Sequence, residues 1–195
     1  MNYLGHALLS FDDAQILTGN LIGDHVKGKL ALNNYPERIR KGIELHRKID
    51  VFTDNHPASK RARLWLRESY GLYSGAIVDS LYDHFLANDP RYFSSEKDLL
   101  LFTQKVYENL EEQSRFFPPV FAQYFPYMKE QNWLYNYRNL QGVQRSLGGL
   151  YKKAKHMPPV EEAYKIFIGH YYQLAQCYYE LIDDIVPFVK LELSH

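Results

Sequence analysis

The sequence is poor in cysteine. Cys177 is the only one among 195 residues, so an internal disulfide is excluded and a reducing compartment is the natural setting. Long apolar runs are missing as well. None approaches the roughly 20 residues of a membrane span, and the N-terminus carries neither a basic region nor an extended apolar segment of the signal-peptide kind. A disulfide scaffold and a membrane protein are therefore not expected, and the cytoplasm is the expected location. Net charge is absent in sum, with 23 basic and 23 acidic side chains, so nothing global points to nucleic acid. Sustained period-two alternation is absent too, which leaves no strand pattern and no sheet to expect. Without repeats, low-complexity linkers or a composition break, residues 1–195 read as one domain.

What is present suits helices. Hydrophobic residues make up 46% and charged residues 24%, enough apolar material for a sizeable core. Aromatics are numerous, with 17 Tyr and 11 Phe, and many phenols fit a helical core boundary where one end of the ring stays wet. After a short apolar start, Asp12 and Asp13 mark a helix start leading through I-L-T-G-N-L-I-G-D, where Gly19 and Gly23 would let another helix approach closely. Pro36 opens a helix that Asn55-His56-Pro57 closes. Further helices are expected over 58–70, about 75–88 and 95–114. Pro118, Pro119 and Pro126 are expected to break up the aromatic stretch that follows. A helix over 128–153 and a long final one over 160–186 complete an all-α bundle.

The stretch G-I-E-L-H-R-K-I-D-V-F-T-D-N-H-P, residues 42–57, holds the first chemical signal. On a helix, Ile39, Ile43, His46 and Asp50 share one narrow face, because positions three and four apart are neighbours. The apolar stripe thus continues as a histidine and a carboxylate. A buried charge is costly unless paired or bound to metal, so His46 and Asp50 read either as a hydrogen-bonded core pair or as two metal ligands. The same oddity recurs at His6, Asp24, Asp79, Asp83 and His84. Mixed imidazole and carboxylate groups on several helices suit Mn²⁺, Fe²⁺ or Zn²⁺ rather than a cysteine-based structural site. Such a metal could lower the pKa of bound water and polarise a phosphoryl oxygen, and Arg47 and Lys48 could neutralise phosphate charge.

The zero net charge hides a segregation. Residues 27–67 carry eleven basic residues (Lys27, Lys29, Arg38, Arg40, Lys41, Arg47, Lys48, Lys60, Arg61, Arg63 and Arg67) against Glu37, Glu44, Asp50 and Asp54, a net +7, so the remainder is −7. That segment reads either as a face for an anionic partner or as a solvated surface balanced by acids elsewhere in the fold.

Several ordered motifs then resemble one family. M-N-Y-L-G-H-A at the start, G-N-L-I-G-D-H-V-K-G, the stretch 42–57, D-S-L-Y-D-H-F-L-A and the later N-W-L-Y-N-Y-R resemble the bacterial acyl carrier protein phosphodiesterases, most densely over residues 1–90. That family is similar to an atypical branch of the all-helical HD-type metal-dependent phosphohydrolases. The resemblance implies hydrolysis of 4′-phosphopantetheine from holo-acyl carrier protein, with Mn²⁺ as the expected metal and Fe²⁺, Mg²⁺, Co²⁺ or Zn²⁺ as alternatives. It implies that Asp83 and His84 form the HD dyad or share that role with His46 and Asp50, and that His6 and Asp24 complete the site. His84, Arg47 and Lys48 would serve the reaction itself, and the acidic carrier protein would dock on the basic segment 27–67. His25 departs from the family pattern, which has an apolar residue after Asp24. Two other functions fit the residues: hydrolysis of a nucleotide or other small phosphoester, and a non-catalytic helical module for an acidic protein.

The remaining candidates have plain readings. Asp79 supports the ligands or sits at a helix surface. His25 and His56 belong at exposed loop edges, and His156, His170 and His195 are structural or superficial. Trp65 and Trp133 are core anchors, and Tyr164, Phe167, Tyr171 and Tyr178 form a core stripe beside a buried, redox-silent Cys177.

Overall fold

The computed structural model describes residues 1–194, with Lys29 described by its backbone alone; His195 lies outside the described residues. Twelve α-helices and no strand occur among them, as the missing period-two pattern predicts. In chain order they are α1 (Tyr3–Leu8), α2 (Ala14–Ile22), α3 (Lys29–Leu32), α4 (Glu37–Asn55), α5 (Pro57–Tyr70), α6 (Ser74–Ala87), α7 (Glu96–Glu112), α8 (Pro119–Glu130), α9 (Trp133–Asn136), α10 (Leu140–Lys153), α11 (Glu161–Gly169) and α12 (Tyr171–Ser194). They pack around one apolar core as a single all-α domain. No helix among the described residues is long and apolar enough to cross a membrane.

The α2–α4 crossing places the site. Gly19 and Gly42 face each other there: a Cβ on Gly19 would collide with the Ile39 carbonyl, and one on Gly42 with the Ile16 carbonyl. Backbones therefore meet almost directly, and Ile16, Ile39 and Ile43 close over the crossing in full burial. Asp13 starts α2 by accepting from the N–H groups of Gln15 and Ile16, and its other oxygen accepts from Arg38 of α4. One side chain thus caps one helix and ties it to the next.

Three sequence expectations change. Pro126 does not interrupt the aromatic stretch; α8 runs through it, because Phe121, Phe125 and Met128 keep one face buried and offset the single hydrogen bond that proline removes. The expected helix 128–153 is split into α9 and α10. Asn132 adopts a left-handed conformation (φ 47°) that ends α8, and the Asn139 side chain accepts from Gly142 N–H to start α10 afresh. The expected final helix is two, broken between Gly169 and His170, and α12 passes Pro187 to reach Ser194 on a buried face of Leu181, Ile185 and Val189.

His56 is half-buried rather than exposed. Its Nδ1 accepts from Ala58 N–H as the cap of α5, which leaves Nε2 to donate to Asp184 at 3.0 Å. His25 is also half-buried, hydrogen-bonded to the Tyr124 hydroxyl at 2.7 Å. Cys177, Phe167 and Tyr178 lie in the core, while Trp65 stacks on His170 with ring centres 5.3 Å apart.

Candidate metal centre and cleft

His6 comes from α1, His46 and Asp50 from adjacent turns of α4. His46 Nε2 lies 3.2 Å from Asp50 Oδ2, and His6 Nε2 lies 3.3 Å from Asp50 Oδ1. The two imidazoles stack with centroids 4.2 Å apart. Gly23 makes room for this, since a Cβ there would occupy the His46 ring. Asp24, in the turn after α2, brings Oδ1 to 3.2 Å from His46 Nε2.

Hydrogen bonds fix both rings by their far nitrogens. His46 Nδ1 lies 2.7 Å from the Asn20 backbone carbonyl, which can only accept, so Nδ1 carries the proton. Asn20 Nδ2 donates to the His6 carbonyl and to Ser10 Oγ, so its Oδ1 is the acceptor facing His6 Nδ1 at 2.7 Å. Both Nε2 lone pairs are then aimed at Asp50. This is the arrangement in which metal-bound histidines are held by an outer hydrogen bond. Acceptors facing acceptors need a positive charge between them. In the metal-free protein a proton supplies it: burial would push the His46 pKa down, but Asp24 and Asp50 overcome burial and hold it at about 9. His6 is held below its ordinary range by burial and by the neighbouring His46. Asp50 lies far below the usual carboxylate range, since its bonds to His46 and His6 outweigh burial.

One ligand atom each from His6, His46 and Asp50 fall within 4.8 Å of one another. Each Nε2 lies 3.2–3.3 Å from a different Asp50 oxygen, a spacing of the order found between neighbouring ligand atoms on an ion with bonds of roughly 2.0–2.2 Å. Two imidazoles and a carboxylate on one side, with the opposite side open to the cleft, fit a catalytic first-row divalent ion better than a closed structural site. Asp24 is placed to add a second carboxylate.

The cluster sits at one end of a cleft of about 1550 Å³ walled by α4, α5, α6 and α10. A family model described as acyl carrier protein phosphodiesterase matches residues 1–185. The chain belongs to this family. Among relatives called acyl carrier protein phosphodiesterase, a protein of Salmonella paratyphi A is 30% identical over 171 residues, 88% of each chain. One of an Enterobacter species is 29% identical over 190 residues, 97% of this chain and 98% of its own. No solved structure matches.

Within this acyl carrier protein phosphodiesterase fold the other sequence candidates do not converge on the cluster. Asp83 is fully buried and turned into the core. Its oxygens accept from the N–H groups of Asn2, Leu4 and Gly5, so it anchors the start of α1 and thereby His6. Burial pushes its carboxyl up to about 7 against those bonds. His84 Nδ1 donates to the Tyr137 carbonyl at 2.7 Å and its Nε2 meets the Tyr171 hydroxyl at 3.0 Å, in a pocket of Phe85 and Phe167. Adjacent helical residues diverge by about 100°, and here Asp83 and His84 serve two different neighbours away from the cleft. Asp79 lines the cleft but faces the Met1 amine at 2.9 Å.

The same angular rule turns Arg47 and Lys48, expected to neutralise phosphate charge, away from the cluster. Arg47 donates to the Val26 carbonyl and Lys48 pairs with Glu192 at 2.5 Å; both border a separate shallow groove with Phe52 and Phe188. The cations that do line the cleft are Lys60, Arg61, Arg63 and Arg67 of α5, with Arg145, Lys152 and Lys153 of α10. Asn20, Arg145 and the two lysines of α10 escaped sequence reasoning. Trp133 is not a plain core anchor: it is half-buried, lines the cleft and stacks on Tyr124.

Proposed function

We propose that this protein is a metal-dependent phosphodiesterase that hydrolyses the link between 4′-phosphopantetheine and a serine of holo-acyl carrier protein, releasing apo-carrier protein and 4′-phosphopantetheine. The observation that carries this reading is the convergence of His6, His46 and Asp50 at the end of a cation-walled cleft in a chain of this family. His6 Nε2, His46 Nε2 and Asp50, with Asp24 beside them, would hold a divalent ion, with Mn²⁺ the expected one. Bound there, such an ion supplies a nucleophilic water at neutral pH and polarises a phosphoryl oxygen.

The protein's own residues orient and receive. Asn20 keeps both imidazoles in the one tautomer that can donate a lone pair. To hold an ion, His46 would have to give up the proton at Nε2. The cleft is large enough to take an extended arm up to the cluster, whose Asp50 and Asp24 carboxylates are open to it. Lys60, Arg67, Arg145 and Lys152 line it without a carboxylate partner among the described residues, and they favour an acidic protein at its mouth.

Intact-mass measurement tests the reading. Holo-acyl carrier protein incubated with this protein and Mn²⁺ is expected to lose the phosphopantetheine mass, and chelator is expected to block the loss. An unchanged carrier mass, with metal bound, would redirect the same site to small phosphoesters.

A further inference from the structure

Two buried polar atoms in the cleft wall lack a partner. Thr53 is 1% exposed and its Oγ1 makes no hydrogen bond; Arg63 Nε is likewise buried and unmatched. Both residues line the same cleft as the metal cluster. Buried donors are nearly always satisfied, and Nε can only donate, so the missing partner is an acceptor.

Their placement says which acceptor. Thr53 and Asp54 follow Asp50 by three and four residues on α4, so they stand one turn further along the same face, about 5–6 Å away. Asp54 Oδ1 accepts from Arg63 Nη2, and the Asp54 carbonyl faces Nη1 at 3.5 Å. From the other side the guanidinium lies against Gly75 of α6, where a Cβ would stand 3.5 Å away; Asp79, one turn beyond Gly75, also lines the cleft. Arg63 is therefore held between α4 and α6 in the wall of the same cleft, with donors unused. Among the described residues it is the only arginine with a buried unpartnered nitrogen.

We infer that Arg63 and the Thr53 hydroxyl bind the non-bridging oxygens of the phosphoryl group, and that Asp54 is the positioning residue that aims Arg63. This deepens the proposed reaction and rests on that reading of the site. A guanidinium presents parallel N–H groups matched to two phosphate oxygens, and a hydroxyl one turn from the metal ligands can take a third contact. It gives Arg63 the anion role first expected of Arg47 and Lys48, which do not line this cleft.

Inorganic phosphate is the probe, titrated calorimetrically into the metal-loaded protein, its Thr53→Val and Arg63→Lys variants, and Asp54→Asn. Arg63→Lys keeps the charge but loses the fork, and is expected to weaken phosphate about 10- to 100-fold. Thr53→Val is nearly isosteric and is expected to weaken it about tenfold, with thermal stability of the metal-free protein unchanged or raised, because an unmatched buried hydroxyl disappears. Asp54→Asn should lower kcat and phosphate affinity while metal content stays at the wild-type level. Unaltered phosphate affinity in both Arg63→Lys and Thr53→Val overturns the assignment, as does a wild-type protein that binds no phosphate. Turnover of holo-carrier protein by the wild type is scored separately. Phosphate bound through Arg63 and Thr53, with the carrier left intact, supports the anion site and overturns the substrate reading alone.

Discussion

At the scale of single residues, a proton and a metal compete for His46 Nε2. With a folded pKa of about 9 against an ordinary 6.5, His46 stabilises the metal-free fold fully below about pH 6.5, and that contribution is lost as pH rises through 9. Metal binding requires the neutral ring, so affinity rises over the same interval. The thermal shift caused by added Mn²⁺ is therefore expected to widen steadily from pH 6.5 to 9, with proton release on binding. A shift that stays constant across this interval would mean that His46 is not a ligand. The residue-level legibility of the site was uneven for a geometric reason. His46 and Asp50 announce themselves because a four-residue spacing on one helix survives in sequence. Asn20 does not: its role arises only where α1 and α2 fold against α4, and a mid-helix asparagine carries no sign of it. Arg63 was one of eleven basic residues in a run, and only its partners single it out.

At the scale of elements, the α2–α4 crossing fixes how far His46 and Asp50 lie from His6. Gly42→Ala would drive a methyl into the Ile16 carbonyl, and neither backbone can yield without moving a ligand-bearing helix. Its expected cost is at or above the upper end of about 1–3 kcal/mol, with loss of metal affinity alongside. Gly149, also within a helix, is exposed and has open space around it. Gly149→Ala is expected to stabilise by roughly 0.5–1 kcal/mol, through reduced freedom of the unfolded chain. Urea denaturation of the two variants side by side checks both signs; equal effects would refute the crossing geometry. Most helices were legible because their apolar faces repeat at helical spacing. Their ends were less so. Pro126 signals a break locally, yet α8 continues because its buried face decides; conversely the break at Gly169–His170 sits inside an unbroken aromatic stripe that continues on either side of it.

At the scale of the whole molecule, the +7 segment is not a uniform face. Arg38 is matched by Asp13 and Arg63 by Asp54, while α12 supplies Glu192 to Lys48, Glu180 to Arg61 and Asp184 to His56. The sequence segregates the charge, and the fold returns outside acids to part of it, at Arg38, Lys48 and Arg61. Lys27, Arg40, Lys41 and Arg47 carry no carboxylate partner among the described residues and lie off the cleft, whereas Lys60 and Arg67 line it, joined by Arg145 and Lys152 from α10, far away in sequence. An acidic carrier protein would feel these as one field, whereas a small phosphoester needs only the inner cations. Arg145→Glu is therefore expected to raise KM for holo-carrier protein about tenfold or more at low salt while leaving kcat nearly unchanged, since like charges at a docking rim act on encounter. The penalty should shrink as ionic strength rises toward 0.5 M, where the screening length falls to a few ångströms. On bis(p-nitrophenyl) phosphate the same variant should match the wild type. An equal loss on both substrates would place Arg145 in the inner site and detach the rim from carrier recognition.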